Sequence, residues 1–326
     1  MIRLLFLYPV SILLHIIIVI RNKLYDWNML RQTVSKIPVI SIGNIQVGGS
    51  GKTPFVAALI KLLLKNNIQP LIITRGYKRN TKKQIILNNI KNYSVEEVGD
   101  EPYYLKTLFN EVPIIIDHNK HRAINTANTL TNIDYIILDD GYQSRYIKRD
   151  IDIVLINTWQ EKQNFHIMPL GYLREKISNL NRADFIYTTK GDKSKFLFSQ
   201  YKTKSLQINY QLIAYDQQKF NRVDLISTQN HQKIVAFSGI ANPEHFFESL
   251  TKLNINYHQK IALENHYQHN SKKRPIIDDE NIIYITTYKD FFKLNLKKST
   301  VYILDMEINI KDELLFQTIK KKLNET

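Results

Sequence analysis

The stretch VGGSGKTP, Val47 to Pro54, contains residue types that hold a phosphate group in many nucleotide-binding proteins. Glycines let the main chain approach the anion, a lysine reaches the β and γ oxygens, and a hydroxyl binds Mg²⁺. The usual motif begins with a glycine where this chain has Gln46, but the phosphate contacts need only the residues from Gly48 onward. The stretch therefore predicts a site for a nucleotide and Mg²⁺. Its members are Gly48, Gly49, Ser50, Gly51, Lys52 and Thr53.

Two further segments carry carboxylates. In YIILDDGYQ an apolar run leads directly into Asp139 and Asp140. A nucleotide-binding loop of this type usually has a carboxylate on the metal side at the end of a neighbouring apolar strand. Both aspartates are therefore candidates for Mg²⁺, and the sequence leaves open which one binds. In EVGDEPYYL, Asp100 and Glu101 lie at the start of a predicted helix, and on spacing alone they are helix-capping residues.

Short apolar segments predict the elements that hold these residues. PVISIGN (38–44) is a predicted strand, and FVAALIKLLLKNN (55–67), after the loop, has apolar residues at helical spacing. Continuous apolar strands indicate burial on both faces, as in a parallel sheet covered by helices. The sequence therefore predicts an α/β fold like that of P-loop NTPases in 31–210 and a second, smaller α/β unit in 211–326. The other predicted strands are 70–74, 112–117, 133–140, 151–157, 233–240, 281–287 and 300–305.

The N-terminal segment LLFLYPVSILLHIIIVI, residues 4–20, is apolar and is followed by Arg21, Lys23 and Arg31. As a helix it would reach roughly 25 Å, slightly short of the ~30 Å hydrocarbon core of a bilayer. A buried core helix would keep a polar stripe, and a signal peptide would have small residues at a cleavage site. We therefore predict that residues 1–30 form a membrane-associated helix, with the basic flank on the cytoplasmic side.

The net charge of +15 indicates an anionic partner, which can be nucleic acid, acidic lipid or a phosphorylated substrate. No aromatic and basic RNA motif and no basic recognition helix accompany this charge, so we predict no nucleic-acid partner. The chain has no cysteine, which excludes a thiolate nucleophile, a disulfide framework and a cysteine zinc site.

The motifs together resemble one enzyme family. PVISIGNIQVGGSGKTP, ITRGYKR, EVGDEP, LDDGYQ, IMPLGYLRE, FSGIANPEHFF and ENHYQ, in this order behind an apolar helix, are similar to the motifs of the tetraacyldisaccharide 4′-kinase (lipid A 4′-kinase) family. The resemblance implies transfer of the γ-phosphate of ATP to the 4′-hydroxyl of tetraacyldisaccharide 1-phosphate, giving lipid IVA. It also implies a location at the inner face of the Gram-negative inner membrane, with the active-site cleft between the two α/β units.

The resemblance also implies roles for single residues. Asp100 would be the catalytic base, assisted by His266, although the family's aspartate before this histidine is replaced by Asn265. Arg174 would offset the charge that develops on the transferred phosphoryl group, and Glu175 would hold metal or orient the arginine.

Lys52 would contact the phosphates, and Thr53 would bind Mg²⁺ with Asp139 or Asp140. The predicted substrate residues are Arg75, with Lys78 and Arg79 nearby, Glu101 and Asn44. The family's histidine after DDGxQ is replaced by Ser144.

A membrane-associated GTPase or ATPase of the P-loop class is the alternative. ADFIYTTKGD ends in Thr189-Lys190-Gly191-Asp192, a pattern with which many GTPases read guanine. A GTPase also needs an Asp-x-x-Gly switch after the acidic strand, and Gly141 comes too early for it. The sequence leaves open the acyl chains of the substrate, the oligomeric state and the depth of the helix in the bilayer.

Overall fold

The computed structural model describes residues 2–77, 79–162, 165–189, 191–216, 219–222, 233–240, 243–263, 276–294 and 296–325. The α-helices in this part of the chain are α1 (Ile2–Asp26), α2 (Lys52–Lys65), α3 (Val95–Val98), α4 (Asp100–Leu108), α5 (Lys120–Ala127), α6 (Pro243–Lys252), α7 (Tyr288–Phe291) and α8 (Glu313–Asn324). The strands are β1 (Val39–Gly43), β2 (Pro70–Thr74), β3 (Ile85–Leu87), β4 (Ile114–Ile116), β5 (Tyr135–Asp139), β6 (Ile151–Asn157), β7 (Phe185–Thr189), β8 (Thr203–Ser205), β9 (Ile208–Asp216), β10 (Lys219–Arg222), β11 (Lys233–Ser238), β12 (Gln259–Ala262), β13 (Ile282–Thr286) and β14 (Thr300–Ile308).

The first sheet has the strand order β3-β4-β2-β5-β1-β6-β7-β8. Its strands pair in parallel except β3, which is antiparallel to β4. Every residue of β1, β2, β5, β6 and β7 is buried, because helices cover both faces, and this explains the continuous apolar runs. The predicted P-loop NTPase-like parallel sheet is confirmed. The carboxyl ends of β1, β2 and β5 meet at one edge and bring the predicted phosphate and metal residues together.

The second sheet has the order β10-β9-β14-β13-β11-β12. Four of its strands run parallel, and β9 and β10 are antiparallel to their neighbours. After β14 the chain returns to the first sheet, where α8 buries Leu315 and Ile319 in that sheet's core. The hydroxyl of Tyr135 donates to the carbonyl of Ile319 at 2.6 Å. The division at 210 and 211 stays a prediction, and β9 spans it.

The N-terminal helix α1 presents apolar side chains to the outside. Leu7–Asp26 is long and apolar enough to cross a membrane, with a mean hydropathy of 1.5, and 11% of it is buried. Polar contacts through Ser11, Asn22 and Asp26 hold α1 to the first unit. The helix therefore has one face for an apolar environment and one for the protein.

Candidate active site

The predicted phosphate loop connects β1 to α2. Gly48 has φ 104° and Gly51 has φ 80°, a region that residues with a side chain rarely adopt, so both turns require glycine. Gly51 precedes Lys52, the first residue of α2, where the helix N–H groups form an anion site. The helix begins three residues before the predicted start at Phe55, since Pro54 is tolerated in a first helical turn.

Gln46, which replaces the expected glycine, fastens the loop to the end of β6. Its side chain is 1% exposed, its Nε2 donates to the carbonyl of Asn157 at 3.1 Å, and its Oε1 accepts from Asn157 N–H at 2.8 Å. The Asn157 side chain donates in turn to the Gly49 carbonyl at 3.2 Å, and the Thr189 hydroxyl donates to the Ser50 carbonyl at 3.1 Å. These bonds hold the loop from its protein side.

Asp140 lies between two cations of the site. Lys52 Nζ is 3.3 Å from Asp140 Oδ1, and Arg174 Nη1 donates to both carboxylate oxygens at 2.9 and 2.8 Å. Burial acts to raise the pKa of Asp140, but Lys52, Arg174 and Lys120 together hold it well below its usual range. Asp140 has φ 48°, an uncommon value for a residue with a side chain. Lys52 and Arg174 therefore favour the ionised carboxylate and hold it next to the phosphate loop.

Lys120 is a member of the site that no sequence motif indicated. Its buried Nζ donates to the carbonyls of Asp139 at 2.8 Å and Asp140 at 2.6 Å, and so supports the turn between the two aspartates. Burial lowers the pKa of Lys120 to about 8. The available signal is its position at the start of α5, directly after β4, at the same edge of the sheet as the aspartates.

Asp139 is only 8% exposed and accepts a hydrogen bond from the Thr74 hydroxyl at 2.9 Å. Burial, with the negative charges of Glu101 and Asp140, raises the pKa of Asp139 to about 6. The two adjacent aspartates therefore differ in their electrostatic environment. Cations stabilise the ionised form of Asp140, whereas burial and like charge destabilise the ionised form of Asp139.

Asp100 and Glu101 begin α4 and face lysines of the second unit. Lys293 Nζ lies 2.8 Å from Asp100 Oδ2, and Lys289 Nζ lies 2.8 Å from Glu101 Oε1. Burial acts to raise the pKa of Glu101, but Lys289 and Lys52 lower it below its ordinary value. The capping interpretation is therefore incomplete, because both acids also make ion pairs across the two units.

Tyr288 adds a further contact between the units. Its ring stacks on that of Tyr104, with centroids 4.1 Å apart and planes at 14°. Its side chain also lies close to that of Thr53, the predicted Mg²⁺ ligand on α2. No sequence motif indicated Tyr288, Lys289 or Lys293, because a tyrosine and two lysines in and just after a short helix are typical of an ordinary surface.

Glu175 lies next to Arg174 but faces inward. It is fully buried and accepts hydrogen bonds from the side chains of Asn22, Gln143, Asn179 and Arg182. Four donors use the lone pairs that a metal ion would need. Of the two predicted roles, this geometry favours the orienting one.

The remaining predicted residues lie at or near the same edge. Asn44 is fully buried, and its Nδ2 donates to Ser50 Oγ at 3.0 Å, inside the loop. Arg75 is exposed directly after β2. His266 and Asn265 lie outside the described residues, as do Lys78 and Lys190.

The oxygen donors near the phosphate loop fit Mg²⁺. No group of three or more His, Cys, Asp or Glu side chains that could hold a metal ion occurs among the residues described above. Mg²⁺ is usually held by one or two carboxylates together with substrate phosphates, so a complete protein cage is not required. Thr53, Asp139, Asp140 and Glu101 offer only hard oxygen ligands, which suit this ion.

Comparison with known proteins covers nearly the whole chain. The family model LpxK, tetraacyldisaccharide-1-P 4′-kinase, matches residues 3–324. The tetraacyldisaccharide 4′-kinase of Aquifex aeolicus is 32% identical over 309 residues, covering 94% of this chain and 95% of that protein. That of Flavobacterium psychrophilum is 33% identical over 305 residues, covering 89% and 87%. A crystal structure described as the apo form of LpxK from Aquifex aeolicus in complex with ATP matches with a TM-score of 0.80 and 30% identity over 99% of both chains. These similarities do not favour the GTPase or ATPase alternative.

Proposed function

This chain belongs to the tetraacyldisaccharide-1-P 4′-kinase family and is an ATP-using kinase of lipid A synthesis, and we propose the residues that carry its reaction. It phosphorylates the 4′-hydroxyl of tetraacyldisaccharide 1-phosphate to form lipid IVA. One observation supports the proposed site above all: Lys52, Asp140 and Arg174 form a contiguous charged group at the phosphate loop, and Asp100 lies on the facing helix.

At the nucleotide end, the loop from Gly48 to Gly51 and the start of α2 bind the phosphates of ATP through backbone N–H groups. Lys52 contacts the β and γ oxygens, and Arg174 offsets the charge that develops during transfer. Thr53, Asp140 and Asp139 would hold Mg²⁺, with Glu101 close by, and the ion would neutralise phosphate charge and align the terminal phosphate. Asp140 is the more accessible of the two aspartates, since its side chain is 38% exposed and Asp139 is 8% exposed.

At the acceptor end, Asp100 is the proposed base. It takes the proton of the 4′-hydroxyl while the bond from that oxygen to the γ-phosphorus forms, and the bond from phosphorus to the departing ADP oxygen breaks. Lys293, at 2.8 Å, gives Asp100 an ion-pair partner that holds the carboxylate before the substrates bind. The assisting role of His266 stays a prediction.

The substrate's own phosphate needs a cation outside the nucleotide site. Arg79 is a candidate, because its Nη1 and Nη2 are buried and no hydrogen bond to them occurs in the part of the chain that the structure describes. Burial lowers the pKa of Arg79, and an anionic partner would reverse that effect. Arg75, exposed after β2, would contact the same 1-phosphate.

The acylated substrate explains the apolar helix. We propose that α1 lies in or across the membrane at its cytoplasmic face, where ATP is present, and that the acyl chains stay in the bilayer during the reaction. The exposed apolar side chains of α1 and the basic residues Arg21 and Lys23 near its C-terminal end support this orientation. Peripheral and monotopic attachment both fit.

The test uses purified protein with γ-labelled ATP, Mg²⁺ and the tetraacyldisaccharide phosphate in detergent micelles. Label should enter the lipid, and Lys52→Met should reduce the rate at least about 100-fold. Lys65→Met, which removes an exposed lysine from the last turn of the same helix, is the matched control and should keep the rate. An unlabelled lipid from protein that binds ATP would overturn the proposal, and a preference for GTP would support the alternative.

A further inference from the structure

A chain of hydrogen bonds joins the N-terminal helix to the proposed catalytic arginine. Asn22, on α1, donates from Nδ2 to Glu175 Oε2 at 3.0 Å. Gln143 donates from Nε2 to the other oxygen, Oε1, at 3.1 Å. Arg174 Nη1 donates to Gln143 Oε1 at 3.3 Å and to Asp140 at 2.8 Å. Four consecutive contacts therefore connect α1 with the carboxylate beside the phosphate loop.

The centre of this series of hydrogen bonds is the buried carboxylate of Glu175. Glu175 has no exposed surface, and Asn22 is 6% exposed. A buried carboxylate is costly unless its oxygens are hydrogen-bonded, so its position is set by the donors around it. Arg182 and Asn179 supply two of these donors at 3.0 and 2.7 Å, and Asn22 supplies the one that comes from α1.

A second connection runs through the segment 167–173, immediately before Arg174. The Ser11 hydroxyl of α1 donates to the Ile167 carbonyl at 2.9 Å, and Ile167 pairs with Leu173 in a β-bridge. Leu173 pairs in turn with Gln46 of the phosphate loop. The segment that holds Arg174 is thus bound to α1 on one side and to the loop on the other.

We propose that Asn22 is a positioning residue for phosphoryl transfer: it acts through Glu175 and Gln143 to fix the orientation of Arg174 at Asp140. The inference rests on the proposed role of Arg174. Its consequence is that α1, besides associating with the membrane, contributes a side chain on which turnover depends. A displacement of α1 from its contacts with the first unit would lower turnover even when ATP and lipid are both bound.

The test compares two variants that each remove one anchor of α1. Asn22→Ala should reduce kcat about tenfold, because a hydrogen bond to a buried charged group is lost, and leave the KM for ATP unchanged. Asp26→Ala removes the 2.7 Å ion pair with Arg145, which holds the same helix, and leaves in place both the bond from Arg145 Nη1 to the Asn22 carbonyl at 2.7 Å and the bond from Asn22 to Glu175. It should stay within about twofold of the wild type. Both variants should float equally with anionic lipid vesicles, since neither changes the apolar face.

A double-mutant cycle with Arg174→Ala then separates this inference from the proposed function. If Asn22 acts through Arg174, Asn22→Ala should cause no further loss of kcat in the Arg174→Ala background. A further tenfold loss there, or equal losses in Asn22→Ala and Asp26→Ala, would overturn the inference and leave the role of Arg174 intact. Full turnover in Arg174→Ala alone would overturn that role and, with it, the inference. If Asn22→Ala does not fold, Asn22→Ser, whose side chain is too short to reach Glu175, carries the same expectations.

Discussion

Replacement of Asp139 by asparagine should stabilise the metal-free protein while abolishing its activity. The Asp139 carboxylate is 8% exposed, accepts a hydrogen bond from Thr74, and lies near the charges of Glu101 and Asp140. Burial and these charges raise its pKa from 3.8 to about 6. The ionised form of Asp139 is therefore a source of strain in the folded protein when no cation is bound.

The size and sign of this change in the free energy of unfolding follow from proton linkage. Between about pH 4 and pH 6 the folded protein retains a proton that the unfolded chain has released, so the free energy of unfolding falls as the pH rises. The shift corresponds to on the order of 3 kcal/mol, and the whole penalty is present above about pH 6. Asparagine has nearly the same shape and no charge. Its amide needs a new partner, so we expect a gain of about 1 to 3 kcal/mol at pH 7.5, declining towards pH 4.

The measurement is urea unfolding in detergent micelles with EDTA, at pH 4.5, 6 and 7.5. Asp192→Asn is the control, since that side chain is 77% exposed and should change stability by less than about 0.5 kcal/mol. Addition of Mg²⁺ and ATP should stabilise the wild type more than Asp139→Asn, because a ligand stabilises in proportion to its affinity for the folded state. A variant that is less stable than the wild type at pH 7.5, or a difference that does not depend on pH, would refute the reasoning.

Three further outcomes are expected. Asp100→Asn should lose at least about 100-fold in kcat and keep its affinity for ATP, because an amide cannot accept the hydroxyl proton; retained turnover in the labelled-ATP assay would remove Asp100 as base. Lys289→Met should raise the pKa of Glu101 and reduce the free energy of unfolding by about 1 kcal/mol after solvent screening. Lys61→Met removes an exposed ion pair between the same two units and should change the free energy of unfolding by less than half as much. Equal effects of the two variants in urea unfolding would show that the pair of Lys289 and Glu101 does not contribute more than an exposed pair. Gln46→Gly should reduce the free energy of unfolding by about 2 kcal/mol and weaken ATP binding, since two buried hydrogen bonds are lost. An unchanged ATP affinity in calorimetry and an unchanged free energy of unfolding would show that these two bonds do not hold the loop.

The sequence predicted the core of the site because its signals are local. A buried strand, glycines and a lysine in immediate succession allow few structures, and the carboxyl ends of parallel strands must share an edge. Lys52 and the pair Asp139 and Asp140 could therefore be placed next to one another from the sequence alone. Their electrostatic difference could not, since it depends on the neighbours that each carboxylate meets.

The contacts between distant segments could not be predicted in this way. Lys289 and Glu101 are 188 positions apart, and an isolated lysine in a short helix is usually solvated. Glu175 was expected beside the reaction because it adjoins Arg174, yet successive side chains of an irregular segment point in different directions. Asn22 gave no signal, because one asparagine near the end of an apolar helix is compatible with a headgroup contact as well as with a buried bond.

The ion pairs between the units explain how the site can accept a highly charged ligand. Lys289 and Lys293 hold Glu101 and Asp100 at 2.8 Å, so a metal ion or a sugar hydroxyl that approaches these carboxylates must compete with an ammonium group. The phosphate oxygens of ATP would offer these lysines alternative partners. Because partners are exchanged rather than removed, no charge need be left buried and unpaired during the exchange. We therefore expect α7 and Lys293, which follows it, to change their contacts when the nucleotide binds, and the same exchange would free Asp100 to accept the proton of the 4′-hydroxyl.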